Sequence, residues 1–142
     1  MSLEIGLVSC VKTKQNESAV PKNLYISDYF SKMRTFAEDH HDDWYILSAK
    51  HGLLDPDGPE IEPYDDTLRN ASVGEKRAWA QNVYQQMRDD GFFTLETTLV
   101  IHAGKDYYSE FLPYLEDDEV EVKIPTEGMG IGERKAWYKA RN

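Results

Sequence analysis

Three features of the amino-acid sequence predict an α/β fold, a single domain over residues 1–142 with a mainly parallel four-stranded sheet and helices on both faces. Short apolar runs alternate with stretches of helical periodicity, the pattern of right-handed β-α-β crossovers. The runs are continuous in polarity rather than alternating, as in strands buried on both faces. The length of 142 residues supports one core burying about two thirds of the unfolded surface, and two domains would be cramped.

Ile5 to Ser9 is the first strand, and Lys12 to Asn23 reads as a loop containing Pro21. Ser27 is placed to cap a helix whose apolar residues Phe30, Met33 and Ala37 recur at helical spacing and fade at His40 to Asp43. Trp44 to Leu47 is the second strand. Ser72 and Glu75 form a capping box ahead of a helix with Trp79, Val83 and Met87 on one face, running up to Gly91. Thr97 to Ala103, β-branched and apolar, is the third strand. A short helical stretch from about Tyr107 to Leu115, distorted by Pro113, leads to a fourth strand, Val120 to Ile124. A glycine-rich turn, Gly128 to Gly132, opens a last helix from Glu133 to Arg141.

Nine tyrosines, five phenylalanines and three tryptophans argue against disorder. The 26 acidic against 16 basic residues give a net charge of −10. That balance opposes nonspecific binding to duplex DNA, which needs clustered Lys and Arg. An acidic surface of this kind suits a high-salt cytoplasm, and equally an ordinary mesophilic protein. No signal-like start and no run of eighteen apolar residues is present, so a cytoplasmic protein without a membrane partner is expected. The single cysteine, Cys10, has no internal disulfide partner, no Cys/His spacing resembles a metal site, and no residue pattern calls for a cofactor.

In a parallel sheet the carboxyl ends of the strands share one edge, where open α/β folds bind ligands. The first strand ends in Ser9, Cys10, Lys12 and Lys14, and the second in Ser48, Lys50 and His51. The third ends in His102, Gly104, Lys105 and Asp106, and the fourth in the turn carrying Gly128, Gly130 and Gly132. Four of the ten lysines therefore follow strand ends, a positive focus suited to an anionic small molecule or one nucleotide unit. Glycines opening a helix let backbone N–H groups approach an anion, although this turn is neither a P-loop nor a dinucleotide fingerprint.

His51 titrates near neutrality and suits general acid/base work, with Asp65 or Asp66 to orient it or to activate water. Lys50 is placed to offset developing negative charge. Tyr64, after Pro63, presents a ring able to stack on a base. Each has a structural alternative: His51 as a turn cap, Tyr64 as loop packing, Cys10 as an inert buried thiol, His102 as a satisfied core histidine.

Ile46-Leu47-Ser48, Gly52-Leu53-Leu54, Pro56, Glu62-Pro63-Tyr64 and Leu68 together resemble the signature of the YaaA superfamily. The chain is more similar still to a group of small uncharacterised prokaryotic and viral proteins known only as a domain of unknown function. Those begin with a strand ending in Ser-Cys and lysines, as Ser9 to Lys14 does, and finish with a Gly-x-Gly-x-Gly turn. The resemblance implies a sheet like that of uracil-DNA glycosylases and the handling of nucleic acid or nucleobases. The chain is shorter than YaaA and has no room for its extra helical DNA-binding segment.

The resulting expectation is a nucleobase- or nucleotide-handling enzyme acting on an N-glycosidic bond or a modified base. Lys50, His51 and Asp65 are its candidate catalytic residues. Ser9, Lys12, Lys14, Ser48, Tyr64, His102, Lys105 and the three turn glycines are its candidate ligand contacts. The alternative is a non-catalytic nucleotide- or nucleic-acid-binding module, as in a stress response.

Overall fold

A central strand with apolar side chains on both faces organises the molecule. In the computed structural model, which describes residues 3–92, 96–118 and 120–142, that strand is β1 (Leu3–Ser9). Helices α1 (Pro21–Leu24) and α2 (Asp28–His40) lead to β2 (Asp43–Ser48), and a tight turn to β3 (Gly52–Leu54). After a long loop come α3 (Val73–Asp89) and β4 (Thr97–His102). Short helices α4 (Lys105–Tyr108) and α5 (Leu112–Asp117), strand β5 (Glu121–Lys123) and helix α6 (Ile131–Arg141) complete the chain. No helix among the described residues is long and apolar enough to cross a membrane.

The helix starts follow local chemistry. The Ser27 hydroxyl accepts the Phe30 N–H at 3.0 Å, and Ser72 accepts that of Glu75 at 3.1 Å while donating to its carboxylate, satisfying donors that a helix start leaves unpaired. The expected helix from Tyr107 to Leu115 is instead two pieces, α4 and α5. Pro113 sits in the first turn of α5, where its missing N–H costs nothing.

The sheet is mixed and five-stranded, in the order β3-β2-β1-β4-β5. Pairing is parallel between β1 and β2, β1 and β4, and β4 and β5, and antiparallel between β2 and β3. The expected four-stranded sheet is therefore corrected by one strand. Gly52–Leu54 has only three residues, too few to show a strand period. It pairs because the turn at residues 49–51 folds it back onto β2, aligning Leu47 with Leu53.

Helices cover both faces. On one, Ile5, Leu7, Leu47, Leu99 and Ile101 pack against Trp79, Val83 and Met87 of α3 and against Phe111 and Leu115. On the other, Val8, Trp44 and Ile46 meet Phe30, Met33 and Ala37 of α2, with Tyr138 of α6. The chain runs from β1 to β2 on one side and returns through α3 to β4 on the other. The connections thus reverse direction between β1 and β4, and such a switch point leaves a crevice beyond the carboxyl ends of the two strands.

Gly52 holds the edge strand in place. Its φ is +75°, and a Cβ there would come within 2.3 Å of Gln86 Oε1, the atom that accepts the Leu53 N–H at 2.8 Å. Gly52→Ala is expected to cost about 2 to 3 kcal/mol, from backbone strain and loss of this clamp. Urea unfolding measures it, and a loss under about 0.5 kcal/mol would show that the clamp contributes nothing.

Candidate functional site

A cleft of about 600 Å³ opens at the switch point. Its floor is the end of β1 and the segment beyond it, with Ser9, Cys10, Lys12 and Lys14. One wall is the loop carrying Asp65, Asp66, Thr67 and Arg69; the opposite end is built by Gly104, Asp106 and Tyr107 after β4 and by Arg134 of α6. Leu68 of the loop anchors in the α3-side core, whereas Tyr138 on α6 anchors in the α2-side core. The two walls therefore come from opposite faces of the sheet.

Four cations, Lys12, Lys14, Arg69 and Arg134, line this cleft with three carboxylates, Asp65, Asp66 and Asp106. Asp106 is neutralised by Lys76, whose Nζ lies 2.7 Å away. The local balance is thus cationic in a chain of net charge −10, and a concave low-dielectric wall strengthens such a field. A second depression of about 500 Å³ lies along α2. Its lining comes from α1, α2 and the residues between them, and its Lys22 and Arg34 are occupied by Asp57 and by Glu38 with the Lys22 carbonyl.

Lys14 is a structural element of the floor as well as a charge. Its ammonium donates to the Val11 and Lys12 carbonyls at 2.9 and 3.3 Å and lies 4.4 Å from the centre of the Tyr64 ring, a cation–π contact. Burial lowers its pKa, opposed by Cys10, Asp65 and Asp66. The Cys10 sulfur is 3.4 Å from the Tyr107 hydroxyl, whose pKa burial raises.

Ser48 and Tyr64 serve the wall from inside the protein. The buried Tyr64 hydroxyl lies 2.6 Å from that of Tyr25 and 2.7 Å from Ser48 Oγ. Ser48 Oγ also accepts the N–H groups of His51 and Lys50 at 3.0 and 3.3 Å, which fixes the turn after β2. Tyr64 therefore presents its ring to Lys14 and, edge-on at 5.5 Å, to His51. Burial lowers the His51 pKa, with Lys50 adding to this and Asp66 opposing. Lys50 is exposed, and neither Lys50 nor His51 belongs to the cleft lining.

His102 lies in the core. Its Nε2 is 2.8 Å from His41 Nε2 and its Nδ1 is 2.6 Å from the Tyr138 hydroxyl. Gly6 makes room for the His41 ring, since a Cβ there would stand 2.5 Å from His41 Cδ2. Glu4 Oε2 lies 3.6 Å from His41 Nδ1, near enough for its charge to act on the ring but beyond hydrogen-bond reach. Burial, reinforced by the charges of His41 and His40, pushes the His102 pKa down to about 3.

Of the residues singled out in the sequence, Ser9, Cys10, Lys12, Lys14, Asp65, Asp66, Gly104 and Asp106 share the cleft, whereas Lys105, Gly128, Gly130 and Gly132 do not line it. The glycine turn contributes indirectly: the Met129 carbonyl accepts Arg134 Nε at 3.1 Å. Sequence reasoning missed Arg134 and Arg69. The signal for Arg134 was its place one turn into the helix that the glycines open.

Fold and site define a mixed α/β domain with a cationic switch-point cleft. The chain belongs to DUF6884, a family of unknown function, whose model matches residues 5–140. It is also similar to the uncharacterized protein YfjM of Bacillus subtilis (strain 168), with 33% identity over 88 residues, covering 62% of this chain and 57% of that protein. The match thus spans little more than half the relative's length. These findings support an uncharacterised small-domain family and give no support to a YaaA-like assignment. No solved structure matches the chain.

Proposed function

We propose that the switch-point cleft binds one nucleotide or nucleobase derivative and that the protein acts on its N-glycosidic bond or its base. The carrying observation is the convergence of four cations on a single cleft in a strongly acidic chain. The resemblance of Ile46 to Leu68 to the YaaA signature, with the glycosylase-like sheet it implies, favours nucleotides over other anions. Glycosidic cleavage needs a group that activates water and donors that offset the leaving charge. Asp65 on the exposed wall takes the first role, and Lys12 and Lys14 take the second.

A specific observation also favours a binding module without catalysis. The Lys50 and His51 amides are tied to Ser48, and neither residue lines the cleft. Two variants separate the readings. Lys12→Ala is expected to weaken nucleotide binding about three- to tenfold, measured by calorimetry, as loss of one charged contact at a partly screened site. Asp65→Asn is expected to leave binding intact and abolish release of free base, followed by mass spectrometry. Binding by the wild-type protein without any product selects the module, and absence of binding to every nucleoside, nucleotide and nucleobase offered refutes both readings.

A further inference from the structure

Among the cleft cations, Arg134 differs in how it is held. Lys12 and Arg69 are exposed and make no side-chain hydrogen bond among the described residues, and Lys14 spends its ammonium on two carbonyls. Arg134 is half-buried, and its Nε–H donates to the Met129 carbonyl. This fixes the guanidinium plane, with the Nη groups beside Gly104 and the neutral Tyr29 hydroxyl. No carboxylate among the described residues forms an ion pair with it, although acids outnumber bases in the chain by 26 to 16.

The surroundings keep the guanidinium charge uncompensated. The neighbouring Tyr29 hydroxyl is buried without a well-formed hydrogen bond. Burial raises its pKa against the opposing hydrogen-bonding contact and charge of Arg134, so Tyr29 is a neutral neighbour and leaves the guanidinium charge uncompensated. Gly104 keeps the approach open: a Cβ there would lie 3.1 Å from Nη1 and 3.6 Å from Nη2. Across the cleft, Asp65 and Asp66 have no ion-pair partner among the described residues. They repel a dianion, yet carboxylates accept well from sugar hydroxyls.

We infer that Arg134 is the phosphate anchor of the cleft, taking the phosphomonoester of a nucleoside monophosphate in a two-pronged contact while Asp66 faces the sugar hydroxyls. This inference rests on the nucleotide reading above and deepens it to a substrate class. A planar guanidinium matches two phosphate oxygens at once, and a lysine ammonium does not.

Calorimetric titration of the full chain with AMP, adenosine and inorganic phosphate tests it. Arg134→Ala is expected to weaken AMP and phosphate binding at least about tenfold while leaving adenosine unchanged. Arg134→Lys keeps the charge and recovers only part of the loss. Gly104→Ala displaces the guanidinium without removing it and weakens AMP but not adenosine; it keeps the test open if Arg134→Ala fails to fold. Lys135→Ala, exposed on the same helix, is the control and changes nothing. Wild-type AMP affinity in all three Arg134 and Gly104 variants overturns the anchor, and leaves the nucleotide reading standing if Lys12→Ala still weakens binding. Phosphate bound through Arg134 with no nucleoside or nucleotide bound overturns the nucleoside monophosphate as the anchored ligand and sinks the nucleotide reading with it. No binding of any probe to the wild-type protein overturns both.

Discussion

Acidification is expected to destabilise this fold steeply, because His102 is buried neutral with its pKa moved from 6.5 to about 3. Below its ordinary pKa the unfolded chain takes up a proton that the native chain refuses. The native-state advantage is therefore fully present above pH 6.5 and is lost as the pH falls from there toward 3. The slope from this one group is about 1.4 kcal/mol per pH unit. His41, whose pKa burial also lowers, adds in the same direction. His102→Gln removes the titration at a cost of about 1 to 3 kcal/mol at neutral pH, since Tyr138 and His41 lose a well-placed partner. Urea unfolding across this pH range should show a flatter stability profile in the variant. Equal slopes in the two proteins would rule out His102 as the source of acid sensitivity.

Trp79→Ala is expected to cost about 3 to 5 kcal/mol. The indole is buried in the α3-side core, its Nε1 donates to the Ser48 carbonyl at 2.8 Å, and its ring meets Tyr107 edge-on at 5.6 Å. Truncation opens a cavity, orphans a buried carbonyl and loosens two walls of the cleft together. Trp79→Phe retains most of the volume and loses the hydrogen bond, for about 1 to 2 kcal/mol. Unfolding free energies separate the two terms. A loss below about 1 kcal/mol for the alanine variant would mean that the turn after β2 is not held from α3.

Much of the fold was legible because it is written in local chemistry. Ser27 with Phe30 and Ser72 with Glu75 cap their helices across three residues, a distance the sequence displays directly. The two-sided burial of β1, β2 and β4 follows from continuous apolar runs. The short strand Gly52–Leu54 was not legible: its pairing depends on the turn before it and on Gln86, thirty-three residues beyond Leu53. The candidate site was half legible for the same reason. Ser9, Lys12 and Lys14 stand next to their strand end, whereas Arg134 reaches the cleft from the last helix and Asp65 from a loop whose path is set by packing.

By itself, the sequence determined the α/β alternation, the two apolar faces of the central strands and the helix starts, because periodicity and capping act within a few residues. The tertiary structure decided the five-stranded order, the switch point between β1 and β4, and which polar groups are spent inside. Ser48, Tyr64 and His102 look like ligand contacts along the chain, and in space they satisfy one another or distant partners. A buried polar group must find a partner, and that partner is chosen by packing across the sheet rather than by position along the chain.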